Sequence, residues 1–364
     1  MRRYLLLSVI ILCVGCDSFR QSVEESYVNK EALKTFDALW CEMDSNYVYF
    51  CENGYDWDAY KDKYRHLVSE AKGDTSYRKV ISMLVDEMQD VNIIISVQGE
   101  LYNYIPENTE YNDAPWIGKM NKYVANGIYY WNDSVATDRN ISFGNMYRAE
   151  DTLQSKPYLY LVPHYYGYNQ NGNSDYLGAA FNYFNTATLQ GVILDLRANN
   201  IKLPHDMMLE VLRYLLPEGE NLIYYESRRN VAEDRCRLSS PEPYILTCNG
   251  AYSDKPLVVL FNPETTNEAN IMCYILQERH GTVTISNSHT GGGGGTRKSV
   301  VLNEKINFLM YYPDVYLSND KYDSFNRPLE PMIRIEGDNV HGMSRIDNRI
   351  VSALHCIDSI NALK

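Results

Sequence analysis

The stretch that decides the fold runs from Gly191 to Arg197 and reads GVILDLR. Its short apolar run is typical of a strand that is buried on both faces, and the charged residues after it mark the end of the strand. Similar buried strands are predicted at Leu257–Phe261 and Val283–Ile285. Helical patterns at Met207–Leu216 and Asn270–Arg279 separate these strands. The alternation therefore predicts parallel βαβ units and an α/β fold class.

The residues before this core have helical periodicity. Apolar residues recur at helical spacing in Asn29–Ser45, a second helix opens at Asp56–Asp58, and Asp74 or Thr75 could N-cap a third. Short links join the three, so we expect an N-terminal helical bundle. The other predicted elements are strands at 91–97 and 158–162 and helices at 177–188 and 347–363.

The composition changes between the bundle and the core. Residues 99–156 are rich in Tyr, Asn and Asp, and we expect loops there with a small β element near Tyr129–Trp131. The expected organisation is a signal peptide at 1–15, a tether at 16–29, the helical bundle at 30–96, a Tyr-rich insertion at 97–155 and an α/β core with a C-terminal helix at 156–364.

The N-terminus has the pattern of an export signal. Arg2 and Arg3 precede an apolar run, Leu5–Val14, that is too short to span a bilayer comfortably. Small residues before Cys16 resemble a bacterial lipobox, although Cys13 replaces the usual Leu. That resemblance implies cleavage before Cys16, lipidation of its sulfur, and attachment to the lipid bilayer of the bacterial cell envelope. A plain secretory signal with an incidental cysteine is the alternative.

The charge of the chain limits its partners. Its 364 residues carry a formal net charge of −13. Such an acidic surface repels phosphate backbones, so no nucleic-acid partner is expected. The sequence also contains 32 tyrosines, which favour a contact surface or reflect a compositional bias of the lineage.

Six cysteines remain beyond Cys13 and Cys16. The possible disulfide partners are Cys41, Cys51, Cys236 and Cys248. Cys41 and Cys51 are close in sequence, as are Cys236 and Cys248, so closing either loop costs little entropy. Sequence alone leaves the pairing open. Cys273 and Cys356 lie in apolar helical patterns, which predict buried thiols. The spacing of the cysteines gives no zinc pattern, and no metal or cofactor is expected.

Polar residues follow each buried strand. Because the carboxyl ends of parallel strands share one edge of a sheet, these loops are expected to line a common cleft. The cleft candidates are Asp195, Arg197, Asn199, Thr265, Thr266, Asn267, Thr290, Gly291 and Gly292. The last two open a run of five glycines, which is either a backbone that a ligand approaches closely or a mobile surface loop.

Taken together, these motifs resemble peptidase family S41, the tail-specific, C-terminal-processing and tricorn-core serine proteases. The matching pieces are Met88–Asn92, Gly191–Asn199, Asn262–Asn270 and His289–Gly292, after a bundle that contains Trp57 and Asp58. The resemblance covers the chain from about Lys30 onward. It implies a helical bundle followed by a crotonase- or ClpP-like core with a mixed, largely parallel sheet. The insertion is too short for the full PDZ domain that many members carry.

The positions that carry the family's chemistry are altered. Asn267 stands where the family has its nucleophilic serine, and Asn92 stands where tricorn-like members have the base histidine. An amide has no ionisable hydroxyl and cannot act as a general base. Asn270 replaces the glutamate at the helix entry, residues 200–203 replace the glycines of the oxyanion hole, and glycine replaces the lysine of the processing branch. The sequence therefore predicts a catalytically degenerate member.

Other serine and histidine residues are poor candidates to replace the missing nucleophile and base. Ser286 and His289, with Ser288 between them, are too close in sequence for a typical nucleophile and base, while His164 and His205 are isolated. The leading hypothesis is a non-catalytic lipoprotein that binds an extended peptide or a glycan. The rivals are an active serine endopeptidase with a displaced serine and a structural envelope protein without a ligand.

Overall fold

The computed structural model describes residues 30–104, 129–131, 136–138, 141–148, 157–163, 188–197, 203–230, 234–295, 297–335 and 347–364. The predictions for the signal peptide, Cys16, the tether, His164, Asn199 and nearly all of the 177–188 helix fall outside these ranges. Within the described chain, no helix is both long enough and apolar enough to cross a bilayer.

The helices in chain order are α1 (30–46), α2 (Phe50–Asn53), α3 (Trp57–Glu70), α4 (Asp74–Met88), α5 (His205–Leu215), α6 (Glu268–Gln277) and α7 (Asn348–Ala362). The strands are β1 (Ile94–Val97), β2 (Glu100–Asn103), β3 (Tyr129–Trp131), β4 (Ala136–Asp138), β5 (Ile141–Arg148), β6 (Tyr158–Pro163), β7 (Val192–Asp195), β8 (Gly219–Ser227), β9 (Glu242–Cys248), β10 (Leu257–Leu260), β11 (Thr282–Ser286), β12 (Arg297–Asn303), β13 (Phe308–Pro313), β14 (Tyr316–Ser318) and β15 (Ile333–Arg334).

Two compact units share the chain. The first takes its described residues from Met1–Ile105, Arg228–Ser239 and Arg297–Val315, and the second takes the rest. This division differs from the linear segments expected from the sequence, because two stretches of the expected core belong to the first unit. The reason is pairing between distant strands: β13 lies antiparallel to β1, with Ile94 opposite Tyr311.

The first unit combines the predicted helices with an antiparallel sheet of order β12-β13-β1-β2. As expected, α3 is capped by the side chain of Asp56, which accepts a hydrogen bond from the N–H of Ala59 at 3.1 Å. The cap of α4 was predicted wrongly. It is Gly73, whose φ of 80° lies in the left-handed region, rather than Asp74 or Thr75.

The second unit confirms the α/β prediction. Its large sheet has the order β15-β11-β10-β7-β6-β5-β3, with β4 beside β5, and the five strands from β15 to β6 are parallel. The strands of the predicted insertion, β3 to β5, extend this sheet in antiparallel fashion. A smaller sheet of order β14-β8-β9 completes the unit. Helix α7 packs Leu354 and Ile357 into the same core cluster as Ile193 and Val258 of the central strands.

The disulfide differs from the pairs that short loops would favour. Cys51 bonds to Cys236 across a sequence separation of 185 residues, and both belong to the first unit. Cys41 is therefore a free, exposed thiol and Cys248 a free, buried one. Tertiary packing, rather than the cost of loop closure, sets the pairing. Cys273 is a buried thiol as predicted, whereas the free Cys356 is only half-buried.

Candidate functional site

The backbone at Asn267 has an unusual conformation. Asn267 precedes α6, and its φ of 55° and ψ of −123° are those of the first central residue of a type II′ turn, a position that favours glycine. A non-glycine residue held there stores strain of about 1–3 kcal/mol, and such strain concentrates at functional sites. The same sharp strand-to-helix turn presents the nucleophile in many serine hydrolases. The turn follows β10, one of the central parallel strands.

The side chain of Asn267 is buried and only partly satisfied. It is 1% exposed. Its Nδ2 donates to Oγ1 of Thr266 at 3.2 Å. Within the described chain its Oδ1 has no hydrogen-bond partner, which is costly for a buried amide oxygen.

The glycine run packs against this turn and is largely buried, which argues against a mobile surface loop. The N–H of Asn267 donates to the carbonyl of Gly292 at 3.0 Å, and the N–H of Gly291 donates to the carbonyl of Thr265 at 2.9 Å. A Cβ atom on Gly291 would overlap the carbonyl oxygen of Pro263. Close approach between two segments of the chain itself is therefore what requires glycine here.

Asn270 and Thr290 form a buried polar network behind the turn. Nδ2 of Asn270 donates to the carbonyls of Gly293 at 2.9 Å and Phe325 at 2.8 Å. Thr290 donates its hydroxyl to Oδ1 of Asn270 at 2.5 Å and accepts from the N–H of Leu329 at 2.7 Å. The side chains of Asn270 and Thr290 both have hydrogen-bond partners, so this network holds the glycine run and the 325–329 segment together as one packed layer.

Thr265 connects the ends of two neighbouring strands. Its hydroxyl donates to the carbonyl of Leu196 at 2.9 Å and accepts from the N–H of Asn262 at 3.1 Å. The strand-end loops after β7 and β10 therefore meet, as the parallel topology predicts.

Asp195 and Arg197, two of the cleft candidates, form an ion pair with each other. Nη2 of Arg197 lies 2.6 Å from a carboxylate oxygen of Asp195, and both side chains are almost fully buried. Tyr160 donates its hydroxyl to Asp195 at 2.5 Å, and Arg197 also pairs with Asp347 at 2.7 Å. Because Asp347 caps α7, these contacts tie the end of β7 to that helix.

The charges of this ion pair decide how Asp195 titrates. Burial alone would raise the pKa of Asp195, but the charge and hydrogen bonds of Arg197 outweigh burial and lower the pKa below its usual range. The pKa of Tyr160 is raised by burial and by the charge of Asp195. Asp195 is thus a permanently charged structural carboxylate, unsuited to proton transfer near neutral pH.

Two sequence profiles of known protein families match parts of this chain. A sequence profile of peptidase family S41 matches residues 163–335, and one of the tricorn protease C1 domain matches residues 28–86. Together with the fold, these matches support the assignment of the chain to peptidase family S41. No protein with curated annotation matches it.

Solved structures show the same fold at low identity. The chain is similar to a candidate peptidase from Parabacteroides merdae, with 18% identity, a TM-score of 0.65 and coverage of 90% of this chain and 96% of that one. It also resembles mature CPAF in complex with lactacystin (10%, TM-score 0.57, coverage 93% and 98%). A lipoprotein from Streptococcus agalactiae is similar as well (11%, TM-score 0.54, coverage 90% and 96%).

Asn92, which the resemblance to peptidase family S41 predicts at the position of the base, belongs to a buried polar cluster of the first unit. Its backbone N–H and its Nδ2 both donate to Oδ1 of Asp90 at 2.7 Å. Tyr47 donates its hydroxyl to the other oxygen of Asp90, and Asn53 donates to the Tyr47 hydroxyl at 2.7 Å. Burial raises the pKa of Asp90, although the hydrogen bonds of Tyr47 and Asn92 oppose that rise. The amide of Asn92 is thus engaged as a donor.

The rescue candidates do not form a catalytic pair. The Oγ of Ser286 accepts the N–H of Ser288 at 3.1 Å, whereas Nδ1 of His289 lies 2.5 Å from the carbonyl of Thr290. His205 has its Nε2 3.2 Å from the hydroxyl of Tyr224. These contacts are those of structural residues.

Sequence reasoning missed two contributors to the site. The 325–329 segment, which backs the glycine run, carries no marked motif and lies far along the chain. Asn262 is the second such contributor. Its Oδ1 accepts the N–H of Glu264 at 3.1 Å, and this contact shapes the loop after β10. The pattern of an Asx turn, an Asn two residues before the N–H that it accepts, could have identified Asn262.

Replacing Asn267 tests whether its backbone is strained. We expect Asn267→Gly to raise the free energy of unfolding by about 1 kcal/mol, since glycine adopts this φ and ψ freely. Asn267→Ala, which also removes the amide but keeps a Cβ, is the matched control and should be less stable than Asn267→Gly by about 1–2 kcal/mol. Urea denaturation measures both. Equal stabilities would show that residue 267 is unstrained.

Proposed function

We propose that this protein is a non-catalytic S41 family member, anchored by a lipid in the bacterial cell envelope, that binds an extended peptide or a glycan. The observation that carries the proposal is the asparagine at residue 267. The turn that presents a nucleophile is kept, while the side chain on it is an amide. An amide forms no acyl-enzyme, so the site retains the scaffold of the family without its covalent chemistry.

The surroundings of Asn267 support the same conclusion. The hydroxyls of the two preceding residues, Thr265 and Thr266, hydrogen-bond to the carbonyl of Leu196 and to the amide of Asn267. Loss of a nucleophile or a base costs serine proteases about 10⁴–10⁶ in turnover. An active enzyme would therefore need a different serine with its own base, and Ser286 and His289 do not make such a pair.

A fluorophosphonate probe separates the inactive protein from an active one. We expect no covalent labelling of the wild-type protein, because the hydroxyls of Thr265, Thr266, Ser286 and Thr290 form no hydrogen bond to a base within the described chain. An active serine peptidase of the same family, labelled in parallel, is the control for the reagent. Labelling of the wild-type protein that disappears in a single Ser→Ala variant, such as Ser286→Ala, would contradict the proposal and favour the displaced-serine enzyme.

Two observations support export and lipidation. The first is the lipobox-like sequence that ends at Cys16. The second is the Cys51–Cys236 disulfide, since such bonds persist in oxidising compartments outside the cytosol. One of the similar structures is also that of a lipoprotein.

Metabolic labelling tests the anchor. In a bacterial host that processes lipoproteins, we expect an alkyne-tagged fatty acid to label the wild-type protein and the protein to enter the membrane fraction. Cys16→Ser should abolish both, whereas Cys13→Ser, the matched control, should keep them. A soluble, unlabelled wild-type protein would favour a plain secretory signal.

The structural alternative also has support, because Thr265, Asn267, Asn270 and Thr290 are all nearly inaccessible. Panels of immobilised peptides and oligosaccharides distinguish the two functions. We expect saturable binding to one class of ligand that a soluble form of that ligand competes away. Absence of binding to both panels by a protein with a native circular dichroism spectrum would favour the structural role.

A further inference from the structure

The segment between β8 and β9 is held to the first unit almost entirely by surface contacts. We call its described residues, 228–230 and 234–239, the tip segment. β8 and β9 belong to the second unit, yet the tip segment belongs to the first. Every described residue of the tip segment is exposed or half-exposed, so it contributes no buried apolar anchor.

Arginines make most of the non-covalent contacts of the tip segment. Arg235 pairs with Asp44 at 2.6 Å and with Asp58 at 2.9 Å, and Nη1 of Arg229 donates to the carbonyl of Asp44 at 3.0 Å. Arg228 pairs with Asp314 at 2.9 Å. Arg235 holds Asp58 through two hydrogen bonds of 2.9 Å each, so that Asp44, Arg235 and Asp58 form a small charge network. The pairs are partly solvated and therefore weaken with salt.

The disulfide is the one covalent cross-link between the tip segment and another described part of the chain. Cys236, next to Arg235, is bonded to Cys51 of the first unit. Both cysteine residues are exposed. Exposed disulfides are accessible to thiolates and are the labile ones, whereas structural disulfides are typically buried. A thiol in solution can therefore reach the one covalent bond of this attachment.

The tip segment covers an aromatic cluster. The guanidinium of Arg235 lies 5.7 Å from the ring centroids of both Trp40 and Phe50, and that of Arg229 lies 5.8 Å from Phe50. Trp40 stacks on Trp57 with ring centroids 6.2 Å apart. Removing the tip segment would expose the face of this cluster, which has the composition of a protein contact surface.

We propose that Cys51–Cys236 is a thiol-operated latch that, when opened, releases the tip segment and exposes this aromatic surface. A thiolate from a small thiol or a dithiol oxidoreductase attacks one sulfur, forms a mixed disulfide with it, and expels the other cysteine as a thiolate. A second thiolate of the reductant then resolves the mixed disulfide, so that two cysteine thiols form and the reductant is oxidised to its disulfide. The latch does not depend on the function proposed for Asn267.

Limited trypsin digestion of the full mature protein tests the latch. The cleavable bonds of the tip segment follow Arg228, Arg229, Arg235 and Arg237. After reduction with dithiothreitol and alkylation, we expect cleavage there to accelerate by about tenfold or more, because proteolysis tracks the released population. High salt should increase the effect further, since it weakens the remaining ion pairs. Cys41→Ser, which removes the free exposed thiol and keeps the disulfide, should respond like the wild type.

Tryptophan fluorescence gives an independent measure of exposure. We expect a red shift on reduction, reversed on reoxidation, and a smaller shift in Trp40→Phe. Circular dichroism separates release from unfolding. Unchanged cleavage and fluorescence after complete reduction would overturn the latch, and so would loss of the native circular dichroism spectrum, which would make the bond a requirement of the fold. Cys236→Ser, which forms no latch, should be cleaved rapidly without a reductant.

Discussion

The close approach between the turn at Asn267 and the glycine run is the constraint on which the site depends. The N–H of Asn267 reaches the carbonyl of Gly292 at 3.0 Å, and Thr266 and Gly292 form a parallel bridge. Because the two segments lie so close together, the glycine run has no room for side chains, and Asn267 adopts a left-handed φ. Asn270 and Thr290 stand directly behind it, and their network holds the glycine run and the 325–329 segment in place. None of these hydrogen bonds uses the side chain of residue 267, so the layer does not depend on the amide of Asn267.

In the function that we propose, the turn persists without the nucleophile, and this separates two roles that coincide in an active enzyme. The backbone geometry is maintained by contacts around residue 267, whereas covalent chemistry needs a hydroxyl on that residue and a base nearby. Asn92 shows the same separation, because its amide is bound to Asp90 within a polar cluster that stabilises its own unit. Both positions are thus occupied by groups that fit the fold and lack the chemistry.

The central strands were predictable because a strand buried on both faces needs a continuous apolar run, as in Val192–Asp195 and Leu257–Leu260. The β8–β9 and β12–β13 hairpins were missed, since they are half-exposed and depend on pairing with distant strands. The motifs placed Asn267 and Asn270 at the start of the helix after β10, which is where the structure has them. The conformation of Asn267, the support from Phe325 and the Cys51–Cys236 pairing depend on residues far apart in sequence, which no local pattern reports.

An atomic-resolution crystal structure of the site is the most direct measurement. It should show residue 267 with φ near 55° and ψ near −123°, its amide against Thr266, and no serine hydroxyl, histidine or lysine nitrogen within hydrogen-bonding distance of that amide. A helical conformation at residue 267, or a serine hydroxyl bonded to a histidine or lysine at the end of the Leu257–Leu260 strand, would contradict a site that has kept its scaffold and lost its nucleophile.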